Sequence, residues 1–196
     1  MTGTTPEALE RYAVRGASSA VMAMTLFVAS EAVFFGAFFG IYASAYTQTK
    51  VWPPGNVSTP SRDLPTIATV ILLLSAVTMA LARRGARRSG HRDRTTPWLW
   101  ATVVAAIAFV ALVAYGFGGL HFGIGQGIYE SLFYTITSLA LAHVAGGIVL
   151  LALVLARARS GELALAREPL VAASIYWYFV VVLGVVIYLL LYAAAG

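Results

Sequence analysis

Cysteine is absent from this 196-residue sequence. With it go disulfides, thiolate metal sites, iron–sulfur clusters and cysteine nucleophiles. Charge is scarce as well: 11% of residues are charged and 60% are hydrophobic. A soluble domain carries about 25% charged residues, so a soluble globular domain is excluded. Histidine occurs three times, and only His143 falls within an apolar run. Paired axial haem ligation needs two His, or a His and a Met, at facing depths. Met22, Met24 and Met79 are not placed for it. Gly-x-Ser-x-Gly is missing, and no Ser, His and acid arrangement resembles an intramembrane hydrolase. Six glycines between Gly116 and Gly127 invite a phosphate loop. That motif needs Gly-Lys-Ser/Thr opening a helix after a strand, and the stretch has neither lysine nor strand. It is expected to be a flexible extracytoplasmic connector, with His121 in solvent. No short apolar core with an Ala-x-Ala site precedes the first long run, so no removable signal peptide is expected. The chain alone is expected to do neither redox nor hydrolytic chemistry and to hold no metal.

What is present is hydrocarbon-compatible helix. Five apolar runs reach bilayer length, at about 18–46, 64–82, 97–117, 129–156 and 171–194. They predict one all-α integral membrane domain over residues 1–196. The first connection holds Pro53, Pro54, Pro60 and Pro65 with Gly55 and Asn56, a turn-rich, non-helical loop. Pro65 and Pro169 stand at favourable first-turn positions of the second and fifth runs.

The net charge of +5 sits almost wholly beside the apolar runs. It reads as a topology signal, and no nucleic-acid partner is expected. The N-terminus, the 83–96 loop and the 157–170 loop hold eleven of the thirteen Lys and Arg residues. Lys50 and Arg62 are the only cations on the opposite side. The N-terminus is therefore expected inside and the C-terminus outside. Arg83, Arg84, Arg87 and Arg88 form the cytoplasmic anchor, with Trp98 and Trp100 in the adjoining interfacial belt. Tyr176, Trp177 and Tyr178 are expected to mark an interfacial end of the last span.

The first run carries one charge near its middle, Glu31. A carboxylate at that depth costs a few kcal/mol, so Glu31 should be neutral, paired or facing a polar cavity. On a helical wheel it shares a face with Phe34, Phe35, Phe38 and Tyr42. Ala32, Gly36 and Gly40 form a separate small-residue ridge on which another helix can pack closely. Two readings stand for Glu31: an acid that hydrogen-bonds within the bundle, or a site used by another subunit, a lipid or protons. In the fourth run Ser131, Thr135, Ser138, Ala142 and Ala145 recur as a small hydrogen-bonding packing face. His143, flanked by Gly146 and Gly147, reads as an interhelical hydrogen-bonder more readily than as a ligand. It is too far along the helix from Glu130, about 20 Å, to pair with it.

Three segments then resemble one family. Ser30-Glu31-Ala32-Val33-Phe34-Phe35-Gly36 is similar to the Ser-Glu-x-x-Phe-Phe segment of subunit III of haem-copper terminal oxidases. Gly127-Ile128-Tyr129-Glu130-Ser131-Leu132-Phe133-Tyr134 with His143-Val144-Ala145-Gly146, and Tyr176-Trp177-Tyr178-Phe179-Val180, resemble the same family in order. The match covers essentially all five spans and suits the short, five-helix bacterial form.

The resemblance implies a bacterial plasma-membrane subunit without a redox centre, packed against a catalytic subunit I that holds haem and copper, beside a subunit II. It implies support of stability, proton uptake and oxygen access, and bound phospholipid near Glu31, with Glu31 and His143 as the matched polar positions. Three departures are visible: Ala140 replaces the first histidine of His-Gly-Leu-His, Tyr178 and Val181 replace His and Asp, and Glu130 replaces a common glycine. Cytochrome c oxidase, quinol oxidase and nitric oxide reductase accessory subunits remain open. A free-standing transporter or channel, and an assembly protein, are the rival classes.

Overall fold

The computed structural model describes residues 6–54, 57, 60–88, 92–159 and 167–193. They form five helices: α1 (Pro6–Gln48), α2 (Asp63–Arg88), α3 (Arg92–Phe117), α4 (Ile128–Arg159) and α5 (Arg167–Tyr188). A π-helical turn, Leu189–Ala193, prolongs α5. Each helix contains a stretch long and apolar enough to cross a membrane: Ser19–Gln48, Asp63–Arg87, Thr95–Phe117, Ile128–Ala158 and Glu168–Ala193.

The helices outrun the apolar runs at their charged ends. Arg83, Arg84 and Arg87 ride the last turns of α2 instead of a loop. Arginine is a good helix former, and its cation favours the negative C-terminal end of the helix dipole. Arg83 is half-buried while Arg84 and Arg87 are exposed; the side chain of Arg88 lies outside the described residues.

α5 is the centre of the bundle and α1 its periphery. In its most apolar stretch α5 is 56% buried, α1 only 6%. One packed cluster joins α2, α3, α4 and α5 through Leu72, Met79, Leu99, Val144, Leu151 and Trp177. A second, aromatic cluster ties α1, α4 and α5 through Phe35, Tyr42, Tyr129, Phe133, Leu183 and Leu191. Between hydrocarbon-solvated helices, close approach and interhelical hydrogen bonds hold what water would otherwise drive together. Thr78 of α2 bonds Thr102 of α3 at 2.7 Å, and Thr66 of α2 bonds Tyr188 of α5 at 2.7 Å.

Trp177 corrects one expectation. It is not interfacial but fully buried, and its Nε1–H donates to Ser75 Oγ of α2 at 3.1 Å. Gly147 of α4 makes room for it: a Cβ there would stand 2.8 Å from the indole ring. Gly147 thus marks one close helix contact of this bundle, and Gly184 of α5, where a Cβ would collide with the Leu72 side chain of α2, marks another.

The ridge Ala32, Gly36 and Gly40 is a second correction. All three are exposed, and nothing lies within 4 Å of a Cβ built at Gly36 or Gly40. Among the described residues, no helix of this chain packs on that stripe. The fourth-span face is the third correction. Ser138, Ala142 and Ala145 are exposed, and Ser131 and Thr135 are half-buried. α4 packs instead through the neighbouring stripe Leu132, Phe133, Ile136, Ala140, Val144 and Leu151. Trp98 and Trp100 are each about 40% exposed, so they are open to an interface. The connector after α3 begins with consecutive turns, Gly118 and Gly119 donating to the carbonyls of Tyr115 and Gly116 at 3.1 Å. His121 is exposed there.

Candidate functional site

Glu31 on α1 and His143 on α4 meet inside the bundle. Glu31 Oε2 lies 3.0 Å from His143 Nε2, with the two side chains 21% and 14% exposed respectively. The other ring nitrogen, Nδ1, lies 2.8 Å from the Leu139 carbonyl oxygen. A carbonyl oxygen only accepts, so Nδ1 carries the hydrogen. The proton count at the second contact follows. Either a neutral carboxyl donates to bare Nε2, or an imidazolium donates to a carboxylate. One proton lies between the two residues in both forms. In either form the pair is hydrogen-bonded and carries no net charge, the condition that hydrocarbon imposes on buried polar groups.

Aromatic rings wall the pair. Phe35 stands edge-on to the imidazole at a centroid distance of 5.0 Å, and Tyr176 stacks on it at 6.5 Å. The Tyr176 hydroxyl donates to the His143 carbonyl oxygen at 2.9 Å, which ties α5 to the same turn of α4. That carbonyl would normally accept an i+4 amide, so it serves as an extra acceptor with its second lone pair. Gly146 leaves the room: a Cβ there would approach the Tyr176 hydroxyl to 3.2 Å. Phe27 of α1 also stacks on Tyr176, at 6.1 Å. Three helices therefore converge on one histidine. Of the aromatic face that the wheel placed with Glu31, Phe35 and Tyr42 are buried and Phe38 is half-buried, whereas Phe34 is 43% exposed.

The arrangement can share or shift one proton over a short path and can clamp α1 to the bundle. Both imidazole nitrogens are engaged, so His143 would have to surrender a hydrogen bond to ligate iron. No group of three or more His, Cys, Asp or Glu gathers among the described residues.

A second polar network was not foreseen from the sequence. Trp52, from the loop after α1, donates to the Tyr42 hydroxyl at 2.9 Å and packs edge-on against Tyr129 at 5.5 Å. Beside Tyr129, Glu130 is buried at 4% exposure with Oε2 unpaired among the described residues. The abundance of Trp and Tyr at the two loop ends was the one signal for it. The carboxyl of Glu130 reaches back over Gly127, where a Cβ would collide with it. Glu130 and Gly127 thus form one unit.

The comparisons with known proteins agree on one relationship. A family model described as cytochrome c oxidase subunit III matches residues 10–195. The chain is 30% identical over 171 residues to a cytochrome c oxidase subunit 3 of Alkalihalophilus pseudofirmus, covering 85% of this chain and 82% of that protein. It is 31% identical over 185 residues to a probable cytochrome c oxidase subunit 3 of Rickettsia bellii, covering 86% of this chain and 66% of that protein. It is 32% identical to a cytochrome c oxidase subunit 3 of Drosophila yakuba, over 88% of this chain and 68% of that protein. The chain thus spans about two thirds of the Rickettsia and Drosophila proteins, and most of the Alkalihalophilus one. With five helices able to cross a membrane and a match along nearly its whole length, the chain belongs to the cytochrome c oxidase subunit III family, and so to a haem-copper oxidase complex.

Proposed function

We propose that this chain is the non-catalytic third subunit of a bacterial plasma-membrane cytochrome c oxidase, with haem and copper in a partner subunit I beside a subunit II. The reading rests on one observation above the rest. A membrane-spanning helix, α1, is held to its own bundle mainly along one side and leaves a continuous smooth face open. In hydrocarbon, small residues on an exposed face let another helix approach closely. Ala32, Gly36 and Gly40 are the surface on which the catalytic subunit docks. Both His143 nitrogens being engaged supports placing the haems elsewhere.

The Glu31–His143 pair serves the complex in two ways on this reading. It fixes the angle of α1, and hence of the docking face. It also offers a proton-sharing group at membrane depth, beside which a phospholipid headgroup or water can bind. Sustained proton uptake by the catalytic subunit is the function it supports. The N-terminus lies in the cytoplasm, supported by the arginines at the ends of α2 and α4. Cytochrome c is taken as the electron donor because the named relatives are cytochrome c oxidase subunits.

The test is turnover durability. Oxidase prepared without this chain should begin oxygen reduction at a near-normal rate and then lose activity over repeated turnovers, and adding the chain back should restore its lifetime. Equal durability with and without the chain would overturn the proposal.

A further inference from the structure

The end of the bundle where α4 begins holds buried polar groups without partners. Tyr129 is fully buried and Glu130 is 4% exposed, both in the first turn of α4. The Tyr129 hydroxyl and Glu130 Oε2 have no hydrogen-bond partner among the described residues. Tyr42 of α1, 2% exposed, accepts from Trp52 Nε1, and its own hydrogen has no acceptor among the described residues. An unmade hydrogen bond on a buried group is destabilising, and native chains leave few of them. Elsewhere in this bundle the fully buried Ser75, Thr102 and Ser174 are each bonded.

The three groups share one neighbourhood. Trp52 stands edge-on to both Tyr42 and Tyr129, at 5.2 and 5.5 Å. The Tyr129 hydroxyl is within electrostatic reach of Tyr42, Tyr192 and Glu130, with Tyr42 acting most strongly. None of the three bonds it directly. Polar groups that act on one another across more than a hydrogen-bond length leave the separation that a bridging molecule spans.

The count of donors and acceptors selects the bridge. Tyr42 offers a hydrogen, the Glu130 carboxyl oxygen accepts one, and the Tyr129 hydroxyl can do either. A molecule that accepts one hydrogen and donates two meets all three, and a buried water makes about three such bonds. Calcium fits less well, because it takes about six to eight oxygen ligands and the site offers one carboxyl and two phenols. Packing excludes anything larger: the rings of Trp52, Phe122 and Phe133 lie 5.5, 5.8 and 6.1 Å from that of Tyr129.

We propose that Tyr42, Tyr129 and Glu130 bind one internal water molecule, which joins α1 to the first turn of α4. Through Tyr42, Trp52 of the loop after α1 belongs to the same network. Gly127 is part of the site, since a Cβ there would displace the Glu130 carboxyl.

The direct test is a structure of the full chain, with whatever subunits accompany it, at a resolution that shows ordered water. One peak should lie about 2.6–3.2 Å from the Tyr42 and Tyr129 hydroxyl oxygens and from Glu130 Oε2. No peak, a direct bond between the two phenols, or a peak ringed by six or more oxygens at about 2.3–2.6 Å would overturn the assignment. The sign of Tyr129→Phe tests it separately. Removing an unpaired hydroxyl leaves the melting midpoint unchanged or raised, whereas removing a partner of a bound water lowers it, by about 2–4 °C in a chain of this size. Glu130→Leu should lower it as well, and Glu130→Gln, which keeps an acceptor oxygen, should stay near wild type. The Tyr129→Phe and Glu130→Leu double variant should lose less than the sum, because both act on one water. A midpoint unchanged or raised in Tyr129→Phe would overturn the proposal.

Discussion

At the scale of single residues, the contact between Glu31 and His143 turns on one proton. The Leu139 carbonyl holds a hydrogen on Nδ1, so Nε2 and the carboxyl must divide what remains. Removing either partner leaves the other unpaired at membrane depth. Glu31→Ala should therefore destabilise the folded chain by about 1–2 kcal/mol, the worth of a strong hydrogen bond within a membrane. His143→Ala should cost a similar amount, and the double variant less than the sum, because both changes break one interaction. Thermal unfolding in detergent measures all three. Strict additivity would mean that the contact contributes nothing. Each residue was visible in the sequence, Glu31 as the lone acid of a span and His143 as the lone spanning histidine. Their pairing was not. They stand 112 positions apart, and a helical wheel gives the face a residue occupies but not which neighbour that face meets.

Among helices, the lesson concerns glycine. The ridge Gly36 and Gly40 and the pair Gly146 and Gly147 look alike as patterns, yet the structure uses only the second within the chain. Gly147→Ala should lower stability by about 1–3 kcal/mol, because the buried ring of Trp177 has nowhere to go. Gly40→Ala, in open space, should be neutral or stabilising by up to about 1 kcal/mol through helix propensity alone. Melting curves of the two variants decide this, and a reversed order would refute the packing described.

The reason the sequence misleads here is physical. In water, polarity separates the buried face of a helix from the exposed one. In lipid both faces are apolar, so periodicity finds the span and leaves its rotation undetermined. That is why Trp177, read as an interfacial aromatic, proves to be the centre of the core, and why Ser138 faces outward. The existence and number of the spans were legible for the converse reason: length and hydropathy suffice for them.

For the whole molecule, the account makes α1 a bridge between its own bundle and a partner. Gly40→Leu separates these two roles. The melting temperature of the purified chain should stay unchanged, while recovery with partner subunits should fall severalfold. Topology can be checked independently. A reporter fused after Gly196 should be active outside the cytoplasm, and one placed at the N-terminus active inside; the opposite pattern would invert the arrangement inferred from the arginines. The central claim, that this chain works only beside haem-bearing subunits, is tested most directly by its colour. An affinity tag on this chain, pulled from gently solubilised membranes, should bring with it the visible absorption bands of haem in fixed ratio to the chain. Fully assembled chain recovered pure, colourless and in native amount would contradict the account.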